Sequence, residues 1–401
     1  MTAISSIAHR LESVARPVIR TARHSWPGAL RALGLPVGVH ETIDDWAGET
    51  LKRGADEKLM SLREEPCTSV AAVSPRHLPE QSHPGFSEDL VYTDVRTFVA
   101  KMRDARVTGR NGYVVDSTGR ILGDVPKVYR AHYTPAAHPL LGLVRPPAVT
   151  LLPGRSAALA IFSTGNYYHW MFEALPRLEL LRQAGVDLGT IDWFIVNDTA
   201  NQFVQPSLAA LGIPEAKLRV TRDGLAWRCE ELLVPSMPCQ TNPSRWVCEY
   251  LRQHFWPSVP HAPKCERLFV SRAPGAKRRV TNESEVEALL VLRGFRKIYL
   301  ESCSLAEQVA LFANAEAIVA AHGASMANLV FCAPRTKVIE IFDPEYVNPC
   351  YWGVAQQVDL DYGYLLGEGE FTGVVQNMAR VGDDIRVSLP RLESLLSLFE
   401  L

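Results

Sequence analysis

The first chemically suggestive stretch is Asn166-Tyr167-Tyr168-His169-Trp170-Met171-Phe172-Glu173-Ala174-Leu175-Pro176-Arg177. His169 and Glu173 are four apart, so on a helix they share one face, where a carboxylate can orient an imidazole. Such a pair suits a general base working near neutral pH. The same residues also fit a core histidine beside a Glu173–Arg177 pair, and spacing does not choose between the two. Most of the aromatic set Tyr167, Trp170 and Phe172 reads as core rather than as a platform for stacking a sugar.

A second constellation is spread over the later half of the chain. In an open parallel sheet, ligands bind beyond the carboxyl ends of the strands. The residues at those ends are Arg272, the turn His322-Gly323-Ala324-Ser325, and Glu340 late in a fourth strand. Gly323 has no side chain to keep an anion from backbone N–H groups at a helix start. Arg272 offers a bidentate guanidinium to the same phosphate, with Lys277, Arg278 and Arg279 on the neighbouring loop. Glu340 is placed to accept from ribose hydroxyls. Each element has a plainer reading: a simple turn, a solvated basic loop, a glutamate paired with an arginine. Together they describe a diphosphate and ribose pocket. Asp359-Leu360-Asp361 is the kind of pair that holds a metal on a nucleotide diphosphate, but it follows the main sheet and reads as structural. No His/Cys cluster has zinc spacing, and neither a Gly-x-Ser-x-Gly elbow nor a Walker loop occurs.

These residues need elements to hold them. Phe98 to Arg106 reads as a helix, and the short runs Val107–Thr108, Tyr113–Asp116 and Ile121–Leu122 read as a small antiparallel meander, separated by turn residues. Strands follow at Ala157–Phe162, Asp192–Val196, Leu218–Val220 and Leu232–Val234. Helices are expected at Tyr167–Gln183, about Asn201–Leu211 and Ser244–Phe255. Strands alternating with helices argue for a parallel sheet. Pro257, Pro260 and Pro263 mark the best domain boundary. Beyond it, strands at Leu268–Ser271, Lys297–Leu300, Ile318–Ala321 and Lys337–Phe342 alternate with helices, two of them opened by capping boxes at Asn282/Glu285 and Ser304/Glu307. That is a Rossmann-like unit. Residues 41–84 read as loops with short helices, and residues 389–401 as a helix closing back on the body.

The 401 residues, 47% hydrophobic and 21% charged, are those of a globular protein with two or three domains. Forty-two basic against forty-four acidic residues, net −2, advertise no nucleic-acid partner. No apolar run approaches a spanning helix, and the start of the chain lacks a secretory apolar segment. Eight cysteines without CxxC pairs fit a reducing cytoplasm. The literal sequons at Asn197 and Asn282 sit where a glycan would obstruct the site. Arg10, Arg16, Arg20, Arg23 and Arg31 face one acid, Glu12, in the first forty residues. They describe either a basic amphipathic helix on an anionic membrane surface or a solvated leader interrupted by Pro17.

Asn166 to Trp170 with Pro176-Arg177, Ser271-Arg272, Arg278 to Glu283, Glu307-Gln308, His322 to Ala324 with Asn328, and Val338 to Glu340 together resemble glycosyltransferase family 61. The similarity spans about residues 90 to 370, in the family's order. It implies a GT-B arrangement, with two Rossmann-like halves facing across a cleft. The nucleotide-sugar donor would lie on the C-terminal half and the acceptor on the N-terminal half. It also implies inversion at the anomeric carbon without a required metal or other cofactor. The absence of the eukaryotic members' anchor or signal favours a bacterial, cytoplasmic enzyme of capsular or other surface polysaccharide synthesis.

The resulting expectation is an α/β protein: an N-terminal segment over 1–90, an acceptor-side domain over 91–256 carrying the meander, a nucleotide-sugar domain over 264–375, and a closing helix over 376–401. His169, oriented by Glu173, would deprotonate a hydroxyl of a glycan or lipid-linked glycan, with Asn166 positioning it. Arg272, Arg279 and the turn His322, Gly323, Ala324 and Ser325 would neutralise the departing diphosphate, with uridine as the expected base. Asn282, Glu283 and Asn328 would shape the loop and Glu340 hold ribose. A sugar-nucleotide epimerase on the same fold, or a glycan-binding protein without turnover, are the rival readings.

Overall fold

The computed structural model describes residues 25–53, 57–63, 73–86, 96–125, 137–163, 165–239, 242–256, 266–273, 275 and 277–401. Arg10 to Arg23 of the basic leader, the prolines at 257, 260 and 263, Cys67 and Cys265 lie outside them. The described residues fall into two compact units, divided at residues 65/66, 94/95 and 238/239.

The first unit is built on one mixed sheet. Its strands are β1 (Gly38–His40), β2 (Lys58–Arg63), β3 (Thr97–Arg103), β4 (Arg106–Thr108), β5 (Tyr113–Val115), β6 (Arg120–Leu122), β7 (Ala148–Ala158), β8 (Trp193–Val196), β9 (Leu218–Val220) and β10 (Leu225–Pro235). Long β10 is the spine. One edge pairs parallel with β7, which continues parallel into β8 and β9. The other edge pairs antiparallel with β4 along its first half and with β3 along its second. The meander β4–β5–β6 forms as expected. A purely Rossmann-like half does not: β10, β7, β8 and β9 make one parallel run and β1 pairs parallel with β6, but the strands between them join antiparallel.

Phe98 to Arg106 is not the expected helix but mostly β3. Ala, Lys and Met favour helices weakly, and tertiary pairing overrides that preference. β3 is bonded on both edges, to β2 and to β10, and Phe98, Val99, Ala100 and Met102 are all buried, so no alternation betrays the strand. β2 likewise lies within the stretch 41–84 that reads as loops with short helices.

The second unit carries a wholly parallel sheet: β11 (Glu266–Ser271), β12 (Phe295–Tyr299), β13 (Ala315–Ala321), β14 (Lys337–Phe342) and β15 (Asp361–Leu366), in the order β12-β11-β13-β14-β15. Counted within the unit this is 2-1-3-4-5, a doubly wound order whose direction of winding reverses between β11 and β13. The helix Glu283–Leu292 and the terminal helix Leu389–Leu398 share a core with the sheet, in which Phe269, Val286, Leu290, Val319, Leu392, Leu396 and Phe399 meet. Ser304 and Glu307 make the expected capping box. Asn282 does not: its side chain instead accepts from the Val387 N–H at 3.0 Å and donates to the Val387 carbonyl at 2.9 Å.

The expected domain limits shift accordingly. The helix Arg245–Phe255 belongs to the second unit, where the Arg252 guanidinium donates to the Val330 and Cys332 carbonyls at 2.9 Å. Residues 73–86 belong there too, rather than to a separate leader. Arg76 bridges β15 through both its N–H and its C=O, and Gln81 donates to the Leu366 carbonyl at 2.9 Å. Such pairings join residues nearly three hundred positions apart and leave no local sequence signal.

Candidate functional site

In the first unit, Asn166 caps the short helix Tyr167–His169 by accepting from the Tyr168 N–H at 2.9 Å. The chain then widens into a π turn over Trp170–Ala174, with the Leu175 N–H reaching back five residues to the Trp170 carbonyl at 3.0 Å. Pro176 explains it: proline has no N–H to give, and its ring would collide with a carbonyl four residues back in a tight helix. Inserted π turns recur at functional sites.

Across this turn His169 Nδ1 and Glu173 Oε2 stand 2.8 Å apart. Glu173 is 3% exposed and His169 23%, so the imidazole lies between the carboxylate and solvent. A proton on Nδ1, shared with Glu173, puts the ring's lone pair on Nε2. The alternative Glu173–Arg177 pair is not made. Arg177 is fully buried and donates instead to the carbonyls of Pro235, Ser236 and Ala160, with burial pushing its guanidinium down to about 9. Tyr167, Trp170 and Phe172 are core; Trp170 Nε1 donates to Ser207 at 2.8 Å.

In the second unit, Arg272 follows β11 and His322 follows β13, on the two sides of the point where the winding reverses. Arg272 Nη2 donates to the His322 carbonyl at 2.6 Å and Nη1 to the Lys277 carbonyl at 3.0 Å. Its Nε is buried without a partner. Burial, helped by the neighbouring charge of Arg278, pushes the guanidinium down to about 10. Gly323 is required by this arrangement, since a Cβ there would stand 1.5 Å from Arg272 Nη2. Ala324 and Ser325 are partly exposed at the start of an eight-residue 3-10 helix, Ala324–Phe331, not the α-helix expected. The first N–H groups of such a helix lack intrahelical partners.

His322 is the buried side of the turn. Its Nδ1 lies 2.5 Å from Glu340 Oε1, and Tyr362 donates to the other Glu340 oxygen. Glu340 is wholly inaccessible, so it orients His322 rather than reaching a ribose. Burial holds His322 below the ordinary imidazole value, against the opposing pull of Glu340. The ring stacks on Phe342 at 5.1 Å.

The remaining expected residues divide. Asn328 is fully buried, donating to Gln308 at 2.9 Å and to the Ser325 carbonyl at 3.1 Å, which holds the turn's exit. Glu283 accepts from Ser271 at 2.6 Å and from Lys297 at 3.3 Å, tying the end of β11 to the helix. Arg279 is exposed and forms a two-point pair with Asp384, through its N–H at 2.9 Å and Nη2 at 2.7 Å. Asp361 pairs with Arg76 at 2.9 Å, and Asp359 sits in a left-handed turn, so they make no joint ligand pair. No cluster of three His, Cys, Asp or Glu suited to a metal occurs among the described residues. The described cysteines are all free, and no described helix is long and apolar enough to cross a membrane.

Residues 167–339 match the family model described as Glycosyltransferase 61. Every expected site residue lies inside the match except Asn166 and Glu340, which flank it by one position. No curated protein matches the chain.

Proposed function

From a chain that carries a glycosyltransferase family 61 domain over residues 167–339, we propose an inverting transfer of a sugar from a nucleoside diphosphate, with uridine as the base, to a hydroxyl of a glycan or lipid-linked glycan. Synthesis of a bacterial surface polysaccharide in the cytoplasm is the setting this reading favours. What carries it is that one family domain encloses both the His169–Glu173 pair and the Arg272–His322 turn.

The acceptor oxygen attacks the anomeric carbon while its proton passes to His169 Nε2. Glu173, already at Nδ1, stabilises the imidazolium that forms. The bond from the anomeric carbon to the diphosphate oxygen breaks, and its electron pair leaves with the nucleotide. One displacement inverts the centre. Charge grows on the departing diphosphate, where Arg272 and the start of the 3-10 helix after Gly323 offer donors that need no rearrangement. Asn166 acts through the helix cap that sets the direction of His169. In this scheme guanidinium groups do the neutralising and no metal ion is needed.

Calorimetric titration with UDP, GDP, CDP and CMP, each with magnesium and with chelator, is the direct test, followed by turnover of UDP-sugars. Selective UDP binding that survives chelation is the expected result. A folded protein that binds none of them would end the donor reading and leave a glycan-binding role.

A further inference from the structure

Arg278 is the residue beside the site that sequence reasoning passed over in favour of Arg279. Its φ is 59°, in the left-handed region that a β-carbon resists and that glycine occupies at no cost. The surrounding backbone dictates this conformation. The Arg278 N–H donates to the Gly382 carbonyl, the Ile385 N–H to the Arg279 carbonyl at 2.7 Å, and the Thr281 N–H to the Ile385 carbonyl at 2.8 Å. A strained non-glycine residue persists where its neighbours over-determine it, and such residues gather at ligand clamps.

Its side chain is not committed elsewhere. Arg278 is half-buried, its Nε is buried without a hydrogen-bond partner, and it forms no carboxylate pair among the described residues. Its guanidinium lies 5.7 Å over the Tyr346 ring, and its charge is felt at Arg272, His322 and Tyr351. Arg272 has the same orphaned Nε and likewise no acid. Two guanidinium groups thus stand together at the carboxyl end of the sheet, the charge of Arg278 adding to the cost of the charge on Arg272. Arg279, by contrast, is satisfied by Asp384.

We propose that Arg278, not Arg279, is the second guanidinium of an anion site shared with Arg272, and that this pair selects a diphosphate over a monophosphate. The proposal deepens the donor reading above and rests on it.

The test compares the full chain with its Arg278→Gly, Arg278→Lys and Arg279→Ala variants, titrated with inorganic pyrophosphate, UDP and UMP, and melted without ligand. Arg278→Gly should weaken pyrophosphate and UDP by roughly tenfold or more, and UMP by less. It should also raise the melting temperature, because glycine relieves the left-handed strain. A purely structural arginine would give the opposite sign. Arg278→Lys should keep a positive charge but lose the fork, giving intermediate affinity. Arg279→Ala should bind nearly as the parent does. Unchanged pyrophosphate and UDP affinity in Arg278→Gly, or a parent protein that binds neither, overturns the inference. Pyrophosphate binding that depends on Arg278, in a protein that consumes no UDP-sugar with any acceptor, upholds this site and sinks the transferase reading instead.

Discussion

The guanidinium of Arg272 occupies the space that a side chain on Gly323 would need: Nη2 would lie 1.5 Å from the missing Cβ and donates to the carbonyl of the preceding residue at 2.6 Å. Two strand ends are thereby latched to each other, and the latch depends on an absent methyl group.

Gly323→Ala should therefore act on the guanidinium first. The clashing atom is the far end of a flexible side chain, so Arg272 swings away while the fold survives with a modest fall in melting temperature. Turnover should drop by about 10² if that guanidinium faces the leaving diphosphate. Steady-state kinetics beside calorimetry with UDP reads this out, and unimpaired kinetics in a variant shown to carry alanine would remove Arg272 from the donor site.

His169→Ala should lower turnover by about 10² to 10⁴ while leaving UDP affinity unchanged. Glu173→Gln should cost less, since the amide oxygen can still accept from Nδ1–H but no longer offsets the imidazolium charge. Parallel losses of UDP binding and turnover in both variants would assign the pair to structure rather than to proton transfer.

Glu340→Ala strips a buried imidazole and a buried phenol, His322 and Tyr362, of the carboxylate they share. About 3 kcal/mol of stability should go with it. Urea unfolding measures the loss directly. A variant as stable as its parent, with weaker UDP binding, would restore Glu340 to the ligand.

Acid should loosen the first unit through His138. Burial pushes this histidine down to about 4, and its Nδ1 accepts from the Leu140 N–H at 3.2 Å, which requires the neutral ring. The unfolded chain takes up the proton first, near its ordinary value of 6.5. The contribution is therefore complete above pH 6.5 and is lost as pH falls from there toward 4, by at most about 3 kcal/mol. Asp124, raised to about 6 by burial, works the other way, being most favourable below 3.8 and costing stability as pH rises through 6. The comparison must therefore be made between parent and His138→Asn, which keeps a capping acceptor. Equal pH slopes in the two proteins between pH 6.5 and 4 would refute the assignment.

Asp361→Asn should leave turnover and its response to chelator unchanged, because Asp361 is paired with Arg76 on the edge strand. A selective loss of magnesium-dependent turnover would return the Asp359/Asp361 pair to the site.

Much of the second unit was legible from the chain alone. β14 lies at its expected limits and β11, β12 and β13 within a few residues of theirs, because each is a short run, mostly apolar, followed by a turn and a helix, all local signals. His169 beside Glu173, and Arg272 beside the His322 turn, were likewise legible, since helical spacing and the carboxyl ends of parallel strands are readable positions. What lay beyond the sequence was whatever depends on partners far along the chain. β3 looked helical until β2 and β10 claimed its two edges. Residues 73–86 are loops with short 3-10 helices, as their turn residues suggest, but nothing local tells that they dock on β15. The partners of two adjacent arginines also come from far along the chain: Asp384, more than a hundred residues on, pairs with Arg279, while the Arg278 N–H bonds the Gly382 carbonyl. Local pattern determines which elements form and what chemistry they carry. Long-range hydrogen bonds and burial decide which of two equally charged neighbours is already paired.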